Sequence, residues 1–136
     1  MSPAALDLLA LRQGTVVPRL PPIPTDELVL SRRGRVAVFG YHGVTAASDS
    51  TSVDEIAAEI TRLVDRREVD RVVVGLRWNS GGENGSYPPL LSALQAADAR
   101  RPGTVRVVTG RTTFSAATNF VAELLASTTA RSFGEA

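Results

Sequence analysis

Ser115 is the residue of this sequence best placed to do chemistry. It stands in Thr112-Thr113-Phe114-Ser115-Ala116-Ala117-Thr118-Asn119-Phe120. The strand-like run Thr104-Val105-Arg106-Val107-Val108-Thr109 leads into it. A helix-like run follows, with Ala116, Ala117, Phe120, Val121, Leu124 and Leu125 on one apolar stripe. A serine at such a junction has two readings. As an N-cap, its side chain accepts a bond from an N–H two or three residues on. As a nucleophile, it sits at the positive end of the helix dipole, among backbone N–H groups that lack partners, where an anion is stabilised. Upstream, Leu76-Arg77-Trp78-Asn79-Ser80-Gly81-Gly82 also follows a strand-like run, and its glycines allow close backbone approach. A serine and a glycine turn at the ends of neighbouring strands have the makings of an acyl-transfer site.

Composition removes several other chemistries. The chain has 136 residues, which is one domain by length, and a net charge of +1. That balance leaves no electrostatic footprint for nucleic acid or an anionic membrane. Cysteine is absent, and His42 is the only histidine, so thiolate and multi-histidine metal sites are excluded. No metal or cofactor is expected. All 15 basic residues are arginine. No run reaches membrane-spanning length, and the apolar patch in residues 1–20 lacks a basic lead, so no signal peptide is read and the compartment stays open.

These residues need a scaffold, and the pattern supplies one. Residues 1–35 read as a Pro-rich lead-in. It has a short helix around Leu6, Leu8, Leu9 and Leu11, a short strand at Glu27–Ser31, and a turn at Arg32-Arg33-Gly34-Arg35. Residues 36–136 read as the core. Val36-Ala37-Val38-Phe39 is a strand ended by Gly40-Tyr41-His42-Gly43, and residues 44–52 form a loop. Ser52-Val53-Asp54-Glu55 is a capping box, and Ile56, Ile60, Leu63 and Val64 share one helix face. Arg71–Leu76 holds Val72-Val73-Val74, the pattern of a buried parallel strand. Ser86 is expected to cap the next helix, with Pro88 and Pro89 in its first turn and Leu90, Leu91, Leu94 and Ala97 as its stripe. Ala130–Phe133 is a last extended piece. Strands and helices therefore alternate, which argues an α/β fold with a mostly parallel sheet.

Three stretches carry a family resemblance. Leu76–Gly82 resembles the D-L-R-x-N-x-G-G motif of the tail-specific, or C-terminal processing, serine peptidases. Thr113-Phe114-Ser115-Ala116-Ala117 resembles that family's T-x-S-A-[AS] nucleophile motif, and Phe133-Gly134-Glu135 its later [VF]-G-E. Order and spacing agree from about Val36 to the C-terminus. The resemblance implies a ClpP/crotonase-like spiral of ββα units. It implies Ser115 as nucleophile, with the N–H of Ala116 and that of Gly81 or Gly82 as oxyanion donors. Arg77 and Asn79 become framework residues. The implied substrate is a polypeptide bound as an extended strand. Relatives are often exported and often carry a PDZ domain.

Two departures qualify that expectation. The motif's leading aspartate is Gly75 here, which leaves Arg77 one anchor short. The family's usual base is a lysine after the G-E motif, whereas this sequence has no lysine and ends one residue after Glu135. The core therefore reads as C-terminally incomplete, an inactive fragment or one that self-associates. His42 remains as a candidate base against the plainer reading of a rim histidine. A non-catalytic crotonase-like binding or assembly domain is the alternative. Gly81-Gly82-Glu83-Asn84-Gly85 matches neither the P-loop nor the dinucleotide fingerprint.

Overall fold

The structure, a computed structural model, describes residues 28–44 and 52–134. The helix expected around Leu6–Leu11 and the Glu135 of the third motif lie outside the described residues.

Five strands form one sheet in the order β1 (Leu28–Arg33), β2 (Val36–Tyr41), β3 (Arg71–Gly75), β4 (Val105–Thr109), β5 (Arg131–Gly134). β1 and β2 are an antiparallel hairpin, with Arg33 opposite Val36 across a turn at Gly34, where φ is 57°. The other pairs are parallel, with Gly40 beside Gly75, and Gly75 beside Val108. The sheet thus begins inside the stretch read as lead-in. The mixed α/β, mostly parallel architecture is the one that the alternation of patterns implied.

The helices follow local chemistry. In α1 (Val53–Asp65) the Ser52 hydroxyl accepts the Glu55 N–H at 3.1 Å. Its C-terminus has no glycine. Arg67 takes the left-handed conformation instead, at φ 56°, and its N–H donates to the Val64 carbonyl at 3.1 Å while that of Glu68 donates to Leu63 at 2.9 Å. This double bond pattern satisfies the last carbonyls of the helix. α2 (Pro88–Arg100) differs from expectation: Ser86 lies in a 3₁₀ turn, Asn84–Ser86, and makes no capping bond. Two prolines at the first two helical positions set the start, since those N–H groups would be unpaired anyway. α3 is Ala116–Ser127.

All three helices pack on one face of the sheet. Ala37, Phe39, Tyr41, Val72, Val74, Val105 and Val107 meet Ile56, Ile60, Leu90, Leu94, Phe120 and Leu124 in one buried cluster. Phe39, Tyr41, Phe120 and Tyr87 form a chain of ring contacts at 5.2, 5.7 and 5.3 Å. Those rings hold the first turns of α3 rigidly against β2. The other face differs. Val72 and Val74 of the expected buried strand are buried, whereas Val73 between them is half-buried, as are Val36, Val38 and Val108. Among the described residues no helix covers that face.

Candidate active site

The loops after β3 and β4 are joined by their backbones and threonine hydroxyls. The Thr113 hydroxyl donates to the Leu76 carbonyl at 2.7 Å and accepts the Gly110 N–H at 3.0 Å. The Thr112 hydroxyl donates to the Arg77 carbonyl, and the Phe114 N–H donates to the Asn79 carbonyl at 3.1 Å. Gly110 lies so close to Arg77 that a Cβ there would stand 3.1 Å from the Arg77 carbonyl oxygen. The sequence reading did not single out Thr113 for this role. Its place two residues before Ser115, after a strand, was the available signal.

Asn79 is fully buried and stitches three segments. Its amide donates to the Tyr41 carbonyl at 3.0 Å, and its Oδ1 accepts the Gly81 N–H at 3.0 Å. The next residues pair with the chain after β2. The Val44 N–H donates to the Gly81 carbonyl and the Glu83 N–H to the Val44 carbonyl, both at 3.0 Å. Gly82 bridges Val44 so closely that a Cβ would fall 2.1 Å from the Val44 oxygen, and its φ of 151° favours glycine.

Ser115 lies against this glycine turn. A Cβ on Gly81 would come 2.7 Å from Ser115 Cβ, 3.0 Å from the Phe114 oxygen and 3.3 Å from the Ala116 nitrogen. Ser115 itself has φ 57° and ψ −124°, a conformation that L residues rarely adopt. Ser115 holds the N-cap position of α3, but its side chain makes no capping bond. Its carbonyl accepts the Asn119 N–H at 3.1 Å, and the residue is exposed. The Asn119 side chain donates to Asn84 at 3.0 Å, tying the first turn of α3 to the glycine loop.

The N–H groups divide in two. Gly81 has given its N–H to Asn79. Those of Gly82 and Ala116 have no acceptor among the described residues. The bridge engages the Gly81 carbonyl and the Glu83 N–H with Val44, so the Gly82 N–H points away from Val44.

His42 follows β2. Its ring folds back over Gly40, where a Cβ would stand 2.6 Å from Nε2. Phe39 and Tyr41 face the helices, so Gly40, and the ring above it, lie on the opposite face. His42 forms no hydrogen bond with Ser115. Its Nδ1 is buried without a partner, and burial lowers its pKa from the ordinary value. The Arg77 guanidinium lies over the Trp78 ring, 5.8 Å from its centre. No group of three or more metal-ligating side chains occurs among the described residues.

No family model and no curated protein matches the chain. Solved structures do match. One is a crystal structure described as "a putative peptidase" from Parabacteroides merdae, with a TM-score of 0.52 and 11% identity, covering 93% of this chain and 47% of that one. Another, described as "Putative S41 protease" from Bacteroides fragilis, has a TM-score of 0.47 and 16% identity, covering 86% and 39%. This chain spans about half or less of the length of either. At such identity the likeness is one of fold: a mixed α/β domain shared with the Parabacteroides protein.

Proposed function

We propose that this chain is a serine-type peptidase domain of the tail-specific kind, wound as the ClpP/crotonase-like spiral that the motifs imply. Ser115 Oγ attacks the peptide carbonyl, and the Gly82 and Ala116 N–H groups receive the oxyanion. Gly81, offered equally by the motif, is a spacer in this reading: its N–H holds Asn79, and its missing side chain lets Ser115 approach. The observation that carries the reading is Ser115 at φ 57°, in contact with the glycine turn and free of any cap. Strained backbone at an exposed serine between strand and helix is the arrangement of a nucleophile elbow. The peptidase description of the fold neighbour supports the same class.

In this reading the serine is positioned but not activated. Among the described residues no imidazole, carboxylate or amine is hydrogen-bonded to its hydroxyl, and a serine without a base is a poor nucleophile. The same observation favours a second reading, a non-catalytic binding or assembly domain. Labelling with an alkyl fluorophosphonate separates the two. The reagent forms a bond from Oγ to phosphorus, fluoride leaves, and the hydroxyl proton passes to buffer. We expect a single adduct on Ser115 in the intact chain and none in Ser115→Ala. Labelling scattered over several serines would favour the binding domain.

A further inference from the structure

We infer that Phe114 forms a subsite for an apolar side chain, aromatic by preference, of a polypeptide whose carbonyl lies at Ser115. The inference rests on the reading of Ser115 above. Phe114 is 71% exposed, the most exposed large apolar residue among those described. Single apolar residues on a surface are ordinary; what distinguishes this one is how it is held. Its N–H is bonded to Asn79 and its carbonyl to the Ala117 N–H at 3.2 Å. That carbonyl also lies against the glycine turn, 3.0 Å from where a Gly81 Cβ would stand. At the same junction Ala116, Ala117 and Phe120 are buried, whereas Phe114 stays in solvent.

A bare ring on fixed backbone, one residue before the serine, gains a partner without ordering the loop first, and such preorganised aromatic surface is efficient at recognition. It selects for apolar contact, since a polar side chain laid on it would lose water without gaining a hydrogen bond. The ring therefore belongs to ligand recognition, and Ser115, Gly82 and Ala116 to the carbonyl.

Backbone amide NMR on the full chain tests this with N-acetyl-phenylalanine amide and N-acetyl-asparagine amide, which share a main chain and differ in the side chain. The phenylalanine amide should shift the Phe114, Ser115 and Gly82 signals saturably and bind more tightly than the asparagine amide. Phe114→Ala, which removes an exposed side chain and leaves the fold intact, should weaken the phenylalanine amide by about fivefold to tenfold, the size of one aromatic contact. Phe114→Leu, which keeps apolar contact but loses the ring pairing, should fall between wild type and Phe114→Ala. Equal affinity for the two amides, no saturable shift with either, or an unchanged affinity in Phe114→Ala would overturn the inference. Fluorophosphonate labelling reads the nucleophile separately. Apolar binding at Phe114 beside an inert Ser115 would sink the peptidase reading and leave the subsite standing.

Discussion

Strain at the residue scale is concentrated at Ser115. A non-glycine residue at φ 57° and ψ −124° costs on the order of 1–3 kcal/mol, which the surrounding bonds must offset. Ser115→Gly should therefore raise stability by about 1 kcal/mol in urea unfolding, whereas Ser115→Ala keeps the strain and should not. An equal effect of the two would remove the strain argument. His42 gives a pH prediction. Burial lowers its folded pKa below 6.5, so the unfolded chain binds its proton more readily. Its contribution to stability is present above 6.5 and lost as pH falls through the lower folded value. Against His42→Gln, the wild-type unfolding midpoint should decline over that window, and parallel curves would contradict the placement of the ring. The neighbourhood of these residues was legible in the sequence, as positions rather than as roles. Ser115, Gly81, Gly82, Ala116 and Asn79 were named from motif and junction, and the structure brings them together. Sequence left open which glycine N–H is free, because that depends on where Asn79 Oδ1 points, and it offered no position for the His42 ring.

Among the elements, two buried polar groups behave in opposite ways. Asp98 on α2 accepts the Thr129 N–H at 2.8 Å and hydroxyl at 2.7 Å, and the Gly103 N–H at 3.3 Å, joining α2 to both ends of the β4–α3 unit. Burial works to raise its pKa, but the Thr129 and Gly103 bonds outweigh it and hold the carboxyl below its ordinary 3.8. Its stabilisation is thus present above pH 3.8 and lost as pH falls through the folded value. Asp98→Ala should cost about 2–3 kcal/mol near neutral pH, because it leaves buried donors unpaired, and a calorimetric loss much smaller than this would show the link to be slack. The Tyr41 hydroxyl is buried with no partner, and burial raises its pKa. Tyr41→Phe should leave stability unchanged or higher in the same measurement. Helix starts were legible where a side chain makes them, as Ser52 does for α1. The start of α2 was not, because Ser86 and Pro88 compete for the role and the 3₁₀ turn decides between them.

For the whole molecule, the sheet carries its helices on one face and half-buried valines on the other. Phe133 is 53% exposed on β5, beside Val108 on that second face. Apolar surface of this kind favours association, so the unfolding midpoint should rise with protein concentration; one independent of concentration would count against an unpartnered face. The alternation of strand and helix patterns was enough to read an α/β fold with a mostly parallel sheet. It carried no information on which face is covered, since Val72, Val73 and Val74 look alike in sequence and differ only by alternation. The central claim, a serine positioned beside oxyanion donors but not activated by His42, is tested most directly by the pH dependence of Ser115 phosphonylation. The rate should be followed from about pH 4 to about pH 9 in wild type and His42→Ala, a range that reaches well below the ordinary histidine pKa, the side to which burial moves His42. The account predicts labelling at Ser115 whose rate climbs steadily with hydroxide and is the same in both proteins. A rate that rises through a pKa below the ordinary histidine value, levels off above it and collapses in His42→Ala would contradict it.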